Sequence, residues 1–179
     1  MGKLFAHFVK KNLKLSKLTF LVKGGEDMKI KDKFGIKGRV KLVLKDKNGK
    51  VKQIVEKGNT ITALLDAHVA DQMSDSGDAA IGYMGVGTGS GQTSASTGLA
   101  ASSANVALDS TTQGTAAADN DVVFVATFPA GTATAALTEV GIFQADNNTT
   151  LMTYDDFGVI NKGATDSIIA TWTISFGAS

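Results

Sequence analysis

The strongest constraint on this chain is a period of two. Ile168, Ala170, Trp172, Ile174 and Phe176 alternate with Ile169, Thr171, Thr173 and Ser175. Successive side chains of a strand point to opposite faces, so this pattern predicts a strand with one buried face and Trp172 inward. The same period governs Ile36, Gly38, Val40, Leu42 and Leu44, which are set between Lys37, Arg39, Lys41 and Lys45. Asp46-Lys47-Asn48-Gly49 is a turn signal, and Val51 to Glu56 returns as the partner strand. A four-residue loop would set Leu44 opposite Val51 and Val40 opposite Val55, keeping apolar residues together. A two-residue loop would oppose Leu44 with Gln53, so the longer loop is expected. The outer face of this hairpin is covered by lysine.

Further strands are predicted at Ile81–Val86, Val122–Phe128, Ala136–Phe143 and Leu151–Tyr154, with short elements at Asn105–Leu108 and Phe157–Ile160. Gly58-Asn59-Thr60 caps a helix near Ile61–Met73, whose buried stripe would be Ile61, Leu64, Leu65, Val69 and Met73. About seven strands and one central helix imply a mainly β fold, an antiparallel β-sandwich or flattened barrel. Two stretches of small residues, from Gly87 to about Ser103 and from Ser110 to Ala118, are expected to be mobile or ordered only by a neighbour. With 179 residues the chain has room for one ordinary domain and an appendage.

The net charge of +1 conceals a dipole. Seventeen of the 18 Lys and Arg residues lie between Lys3 and Lys57, against five acids, so residues 1–57 carry +12 and the rest −11. Such an asymmetry predicts a basic arm or face that meets something acidic, for which the body of a neighbouring copy is an economical candidate. Residues 1–27 form that arm, and 28–179 the β-domain. At helical spacing Leu4, Phe5, Phe8, Leu15, Leu18 and Val22 fall on one side and Lys3, Lys10, Lys14 and Lys17 on the other, describing a basic amphipathic helix. The competing reading is a helix packed on its own domain with solvated lysines. Met28 would itself serve as a start codon, which would make the arm dispensable. Lysines interrupt any signal-peptide core and no apolar run approaches the roughly 20 residues a bilayer requires, so neither a signal peptide nor a membrane partner is expected.

Motifs for chemistry are sparse. Cysteine is absent, which removes disulfides, thiolate metal sites and a Cys nucleophile and suits a reducing compartment. The run from Gly85 to Gly91 invites a phosphate-loop reading, but no Gly-Lys-Ser/Thr follows and the Gly-x-Gly-x-x-Gly frame breaks at Gln92. It reads as a glycine turn at a strand end. His7 and His68 have no catalytic or metal motif around them. Asp155-Asp156, with Asp146 upstream, could hold calcium, yet the EF-hand pattern is missing and an acidic turn explains them better. The basic stretch 29–57 has only Phe34 as an aromatic, which disfavours nucleic acid. No catalytic residue, cofactor, metal or small-molecule substrate is expected. Lys3, Lys10, Lys14, Lys17, Lys37, Arg39 and Lys41 are the candidate partner-binding residues.

The order of elements resembles small structural proteins from the virion modules of tailed phages. The matching pieces are Arg39 to Leu44 with the Lys47-Asn48-Gly49 turn, Gly58 to Thr62, Met84 to Gly89, Ala126-Thr127-Phe128, Leu137 to Phe143, and Asp166 to Phe176, together spanning Ile36 to Phe176. The resemblance implies a non-catalytic virion part: a capsid decoration or cement protein, or a tail-fibre or baseplate component. It implies the major capsid protein or other virion subunits as partners, a homo-oligomer, and localisation in the virion. A surface or carbohydrate-binding β-domain is the third expectation.

Overall fold

The computed structural model describes residues 34–74 and 77–178. The arm of residues 1–27, with Lys3, Lys10, Lys14 and Lys17, lies outside the described residues. The chain is mainly β, as the alternation predicts. Strand β1 (Phe34–Lys45) is followed by β2 (Val51–Gly58), β3 (Thr60–Ile61), helix α1 (Ala63–Ser74), β4 (Tyr83–Gly87), β5 (Ser102–Ala107) and β6 (Ser110–Gln113). After a short 3-10 turn at Ala116–Ala118 come β7 (Asp121–Phe128), β8 (Ala136–Phe143), β9 (Leu151–Asn161) and β10 (Ser167–Ala178). Two five-stranded sheets result, ordered β2-β1-β10-β7-β6 and β3-β9-β8-β4-β5, with antiparallel pairing throughout.

The core fills the space between the sheets. Val40, Leu42 and Leu44 of β1, Ile168, Ala170, Trp172 and Ile174 of β10, and Phe124, Ala126 and Phe128 of β7 meet Met84, Val86, Val140, Ile142, Met152 and Ile160 of the second sheet. Each is buried at the alternate positions of its strand, which ties the period of two directly to packing. Trp172 is fully buried, as its place in the alternation requires. A second, smaller cluster of Leu99, Phe143, Leu151 and Tyr154 lies apart from this core.

The hairpin departs from its expected register. Gly49 (φ +80°) donates its N–H to the carbonyl of Asp46, and Asp46 donates to the carbonyl of Lys50. This is a three-residue loop with its last residue in the left-handed region, a conformation glycine adopts without strain. A bulge between Leu44 and Lys45 then makes Leu44 oppose Gln53 and Leu42 oppose Val55, not Leu44 with Val51 or Val40 with Val55. Because β2 is an edge strand, the register is free to place Ile54 outward, where it is 55% exposed.

The other corrections are local. Thr60 and Ile61 pair with Tyr154 and Thr153 as a strand, and the helix starts two residues later. Its N-terminal contact comes from Thr62, whose hydroxyl accepts the N–H of Leu65 at 3.4 Å, in place of Asn59. Leu65 and His68 are the buried helix residues, while Met73, expected in the stripe, is 84% exposed. Strand β9 runs unbroken through Asp155-Asp156, so these residues are not a turn.

Candidate functional site

The outer faces of the two sheets differ. On the second sheet, Glu139 and Asp156 stand opposite each other on β8 and β9, and the glycine-rich segment after β4 folds over them. The Glu139 carboxylate is fully buried and accepts the N–H groups of Gly89 (2.8 Å), Ala100 (3.0 Å) and Ala101 (2.8 Å), with Gln92 Nε2 as a fourth donor. Asp156 Oδ2 accepts Gly91 N–H at 2.9 Å. Asn148 exchanges two hydrogen bonds with the backbone of Leu99, and Tyr154 donates its hydroxyl to the carbonyl of Gln92. The segment is therefore ordered by the chain's own carboxylates, contrary to the expectation of mobility. Its N–H groups, which a phosphate loop would present to a ligand, are already used by Glu139 and Asp156.

The second small-residue stretch is also structured. Ser110 to Gln113 pair with β7 as strand β6, and β5 covers Ser102–Ala107, where only a short strand at Asn105–Leu108 was expected.

On the first sheet the outer face carries no such cover from the described loops. Lys37, Arg39 and Lys41 project from β1 and are exposed. Beside Arg39 the row continues through Thr173, Val123 and Thr112; beside Lys41 through Thr171 and Val125; beside Lys37 through Ser175 and Asp121. Val43, Ile169 and Thr127 complete the next row. Arg39 pairs with Glu56 at 3.1 Å, both well exposed. The structure thus brings the three described candidate residues together as a basic stripe along a face of threonine and valine.

Two charged clusters were not expected from the sequence. Asp155 lies on the inner face, opposite Val140, and burial pushes its carboxyl above the usual range; Lys57 Nζ, 3.5 Å away, works against that rise. Lys57 also donates to the carbonyl of Asp156. Lys162, the one basic residue after Lys57, is buried and donates to the carbonyls of Pro129 (2.8 Å) and Asp166 (2.7 Å). Burial lowers its pKa against the attraction of Asp166. Asp166 is held below the ordinary carboxylate value, chiefly by the hydrogen bond from Lys52 at 2.6 Å and then by Gly163 N–H. A lone charge inside an apolar strand, as at Glu139 between Leu137 and Val140, was the available signal for a buried role.

Among the described residues no three His, Asp or Glu side chains converge as a metal site. Asp146 lies in the β8–β9 connection, while Asp155 and Asp156 point to opposite faces of β9. His68 is buried in the middle of α1, its Nδ1 3.7 Å from Asp78. No helix among the described residues is long and apolar enough to cross a membrane. Compared with protein-family models, curated proteins and solved structures, the chain matches none.

Proposed function

We propose that this chain is a non-enzymatic structural subunit of a tailed-phage virion, docked on the major capsid shell as a decoration protein. The observation that carries the reading is the contrast between the two outer faces. One is roofed by a loop pinned to Glu139 and Asp156; the other presents Lys37, Arg39 and Lys41 beside rows of threonine and valine. A partly apolar face with a row of basic side chains along one strand suits a broad protein surface of opposite charge better than a small ligand. The order of motifs from Ile36 to Phe176 supports the virion setting, and the +12 of residues 1–57 supports an acidic partner. Lys3, Lys10, Lys14 and Lys17 would extend the same basic contact.

A carbohydrate-binding role is disfavoured because Trp172, Phe124, Phe128, Phe143, Tyr154 and Phe157 are buried and Tyr83 and Phe176 are half-buried against the core clusters, so none of them is exposed as a platform. The test is stoichiometry, by quantitative mass spectrometry of purified particles scaled to the major capsid protein. A ratio near unity or a simple fraction of it supports decoration. A few copies per hundred capsid subunits moves the protein to the tail or a vertex, and absence from particles sinks the structural reading.

A further inference from the structure

Two unlike surfaces stand at opposite ends of the first sheet. At one end a cavity of 340 Å³ lies between α1 and the inner face of β7 and β10, with Leu65, His68, Met73, Ile81, Phe124 and Ile174 among its walls. It is almost wholly apolar. The buried His68 has an Nδ1 without a hydrogen-bond partner, 3.7 Å from Asp78. Asp66 and Asp71 lie on the same helix and Asp78 follows it; from Gly58 to Asn161 the sequence contains no Lys or Arg. This end is an apolar cleft in acidic surroundings.

At the other end is the β1–β2 hairpin. Val51 and Ile54 are 45% and 55% exposed, and Val159, whose carbonyl accepts a hydrogen bond from Gln53, is 49% exposed. Lys45, Lys47 and Lys50 flank Val51 along the hairpin, and Lys52 beside it is paired with Asp166. The large hydrophobic side chains exposed among the described residues are these three and Met73, which lines the cleft. The register keeps the two ends apart: Ile36 opposes Phe176 near the cleft, and Lys45 opposes Ser167 near the turn. Nine residues of strand separate them, about 30 Å at the usual rise.

We propose that the β1–β2 hairpin of one copy seats Val51 and Ile54 in the apolar cleft of the next copy. Lysines of the hairpin then meet the carboxylates around the cleft, and apolar surface is covered on both partners. Because the two patches differ and stand at opposite ends, two copies can pair reciprocally, each hairpin in the other's cleft, or copies can follow one another head to tail. The contact rests on the sandwich alone and not on the virion reading, so purified protein tests it without particles.

The experiment uses the full chain at submillimolar concentration, with size-exclusion chromatography and light scattering. Wild type is expected to self-associate, as a dimer or a larger oligomer. Ile54→Asp places a carboxylate against the acidic cleft, and Met73→Lys places a cation against the basic hairpin; both positions are exposed, so circular dichroism should stay as in wild type. Each variant alone is expected to be a monomer. Their equimolar mixture pairs the intact hairpin of Met73→Lys with the intact cleft of Ile54→Asp and should recover association. Monomeric wild type, a folded variant that keeps the wild-type oligomer, or a mixture that stays monomeric would each overturn the proposal.

Discussion

Glu139 shows what one buried carboxylate can organise. Its two oxygens gather four donors from a segment that carries little apolar surface of its own, and hydrogen bonds to a buried charge are worth about 1.5–3 kcal/mol each. Glu139→Gln keeps the shape but turns an acceptor into a donor facing other donors. The expected result is a loss of about 3 kcal/mol in urea unfolding, with new protease cleavage between Gly87 and Ala101; an unchanged digestion pattern would contradict the role given to Glu139. Lys57 acts on Asp155 in a different way. A carboxyl whose folded pKa is raised by burial contributes stability that is complete below its unfolded pKa and is lost as pH rises through the folded value. Lys57→Met removes the charge that limits that rise. The variant should therefore be less stable than wild type at neutral pH by about 2 kcal/mol, and the deficit should shrink as pH falls into the carboxylate range. Asp166 has the opposite sign. Its lowered pKa contributes stability that is present above the unfolded value and lost as pH falls through the folded one. Lys52→Met should flatten the acid limb of the stability curve below about pH 4, read by urea midpoints across a pH series.

At the scale of elements, two glycines separate turn chemistry from packing. Gly49 has a left-handed φ with open space around a prospective Cβ, so only backbone strain opposes a side chain. Gly49→Asn should be nearly neutral, while Gly49→Val should cost about 1–2 kcal/mol. Gly87 has an ordinary backbone, but a Cβ there would run into the Ala101 carbonyl and Glu139 Oε1. Gly87→Ala should cost about 3 kcal/mol, because overpacking against backbone cannot relax. Differential scanning calorimetry on the three variants checks the ranking. The same contrast explains what could be read from sequence. Strand β8 has the bounds expected of it, and β10 the expected inward residues, because strict alternation is a local property. The glycine-rich segment was misjudged because its partners lie 38 to 65 residues away in the chain. Strand β9 was cut at Asp155-Asp156 because adjacent acids resemble a turn, whereas Lys57 and Gly91 give each a separate partner on its own face. The hairpin register was missed because a bulge has no sequence signal as strong as its loop. Of the candidate contact residues, only the alternation of Lys37, Arg39 and Lys41 with the β1 core residues was legible, and it placed all three on one face.

At the scale of the whole molecule, charge and core are nearly independent. The core lies between the sheets and is almost free of ionised groups, whereas the basic stripe stands on the outer face of β1, away from it. Arg39 makes an exposed ion pair with Glu56, and such pairs contribute about 0–1 kcal/mol. Lys37 and Lys41 are exposed on the same strand. Replacing the stripe should therefore separate attachment from folding. The triple variant Lys37→Gln, Arg39→Gln, Lys41→Gln keeps side-chain length and removes three charges, so its unfolding free energy should stay within about 1 kcal/mol of wild type. If the first sheet docks on an acidic shell, the same variant should bind purified particles at least tenfold more weakly in a co-sedimentation assay at 0.1 M salt. Raising the salt should weaken wild-type binding toward the level of the variant and change the variant little, since exposed charges are screened over about 10 Å at that ionic strength. Binding that resists molar salt, or a triple variant that co-sediments like wild type, would remove the stripe from the interface and leave the valine and threonine rows as the only part of that face able to carry it.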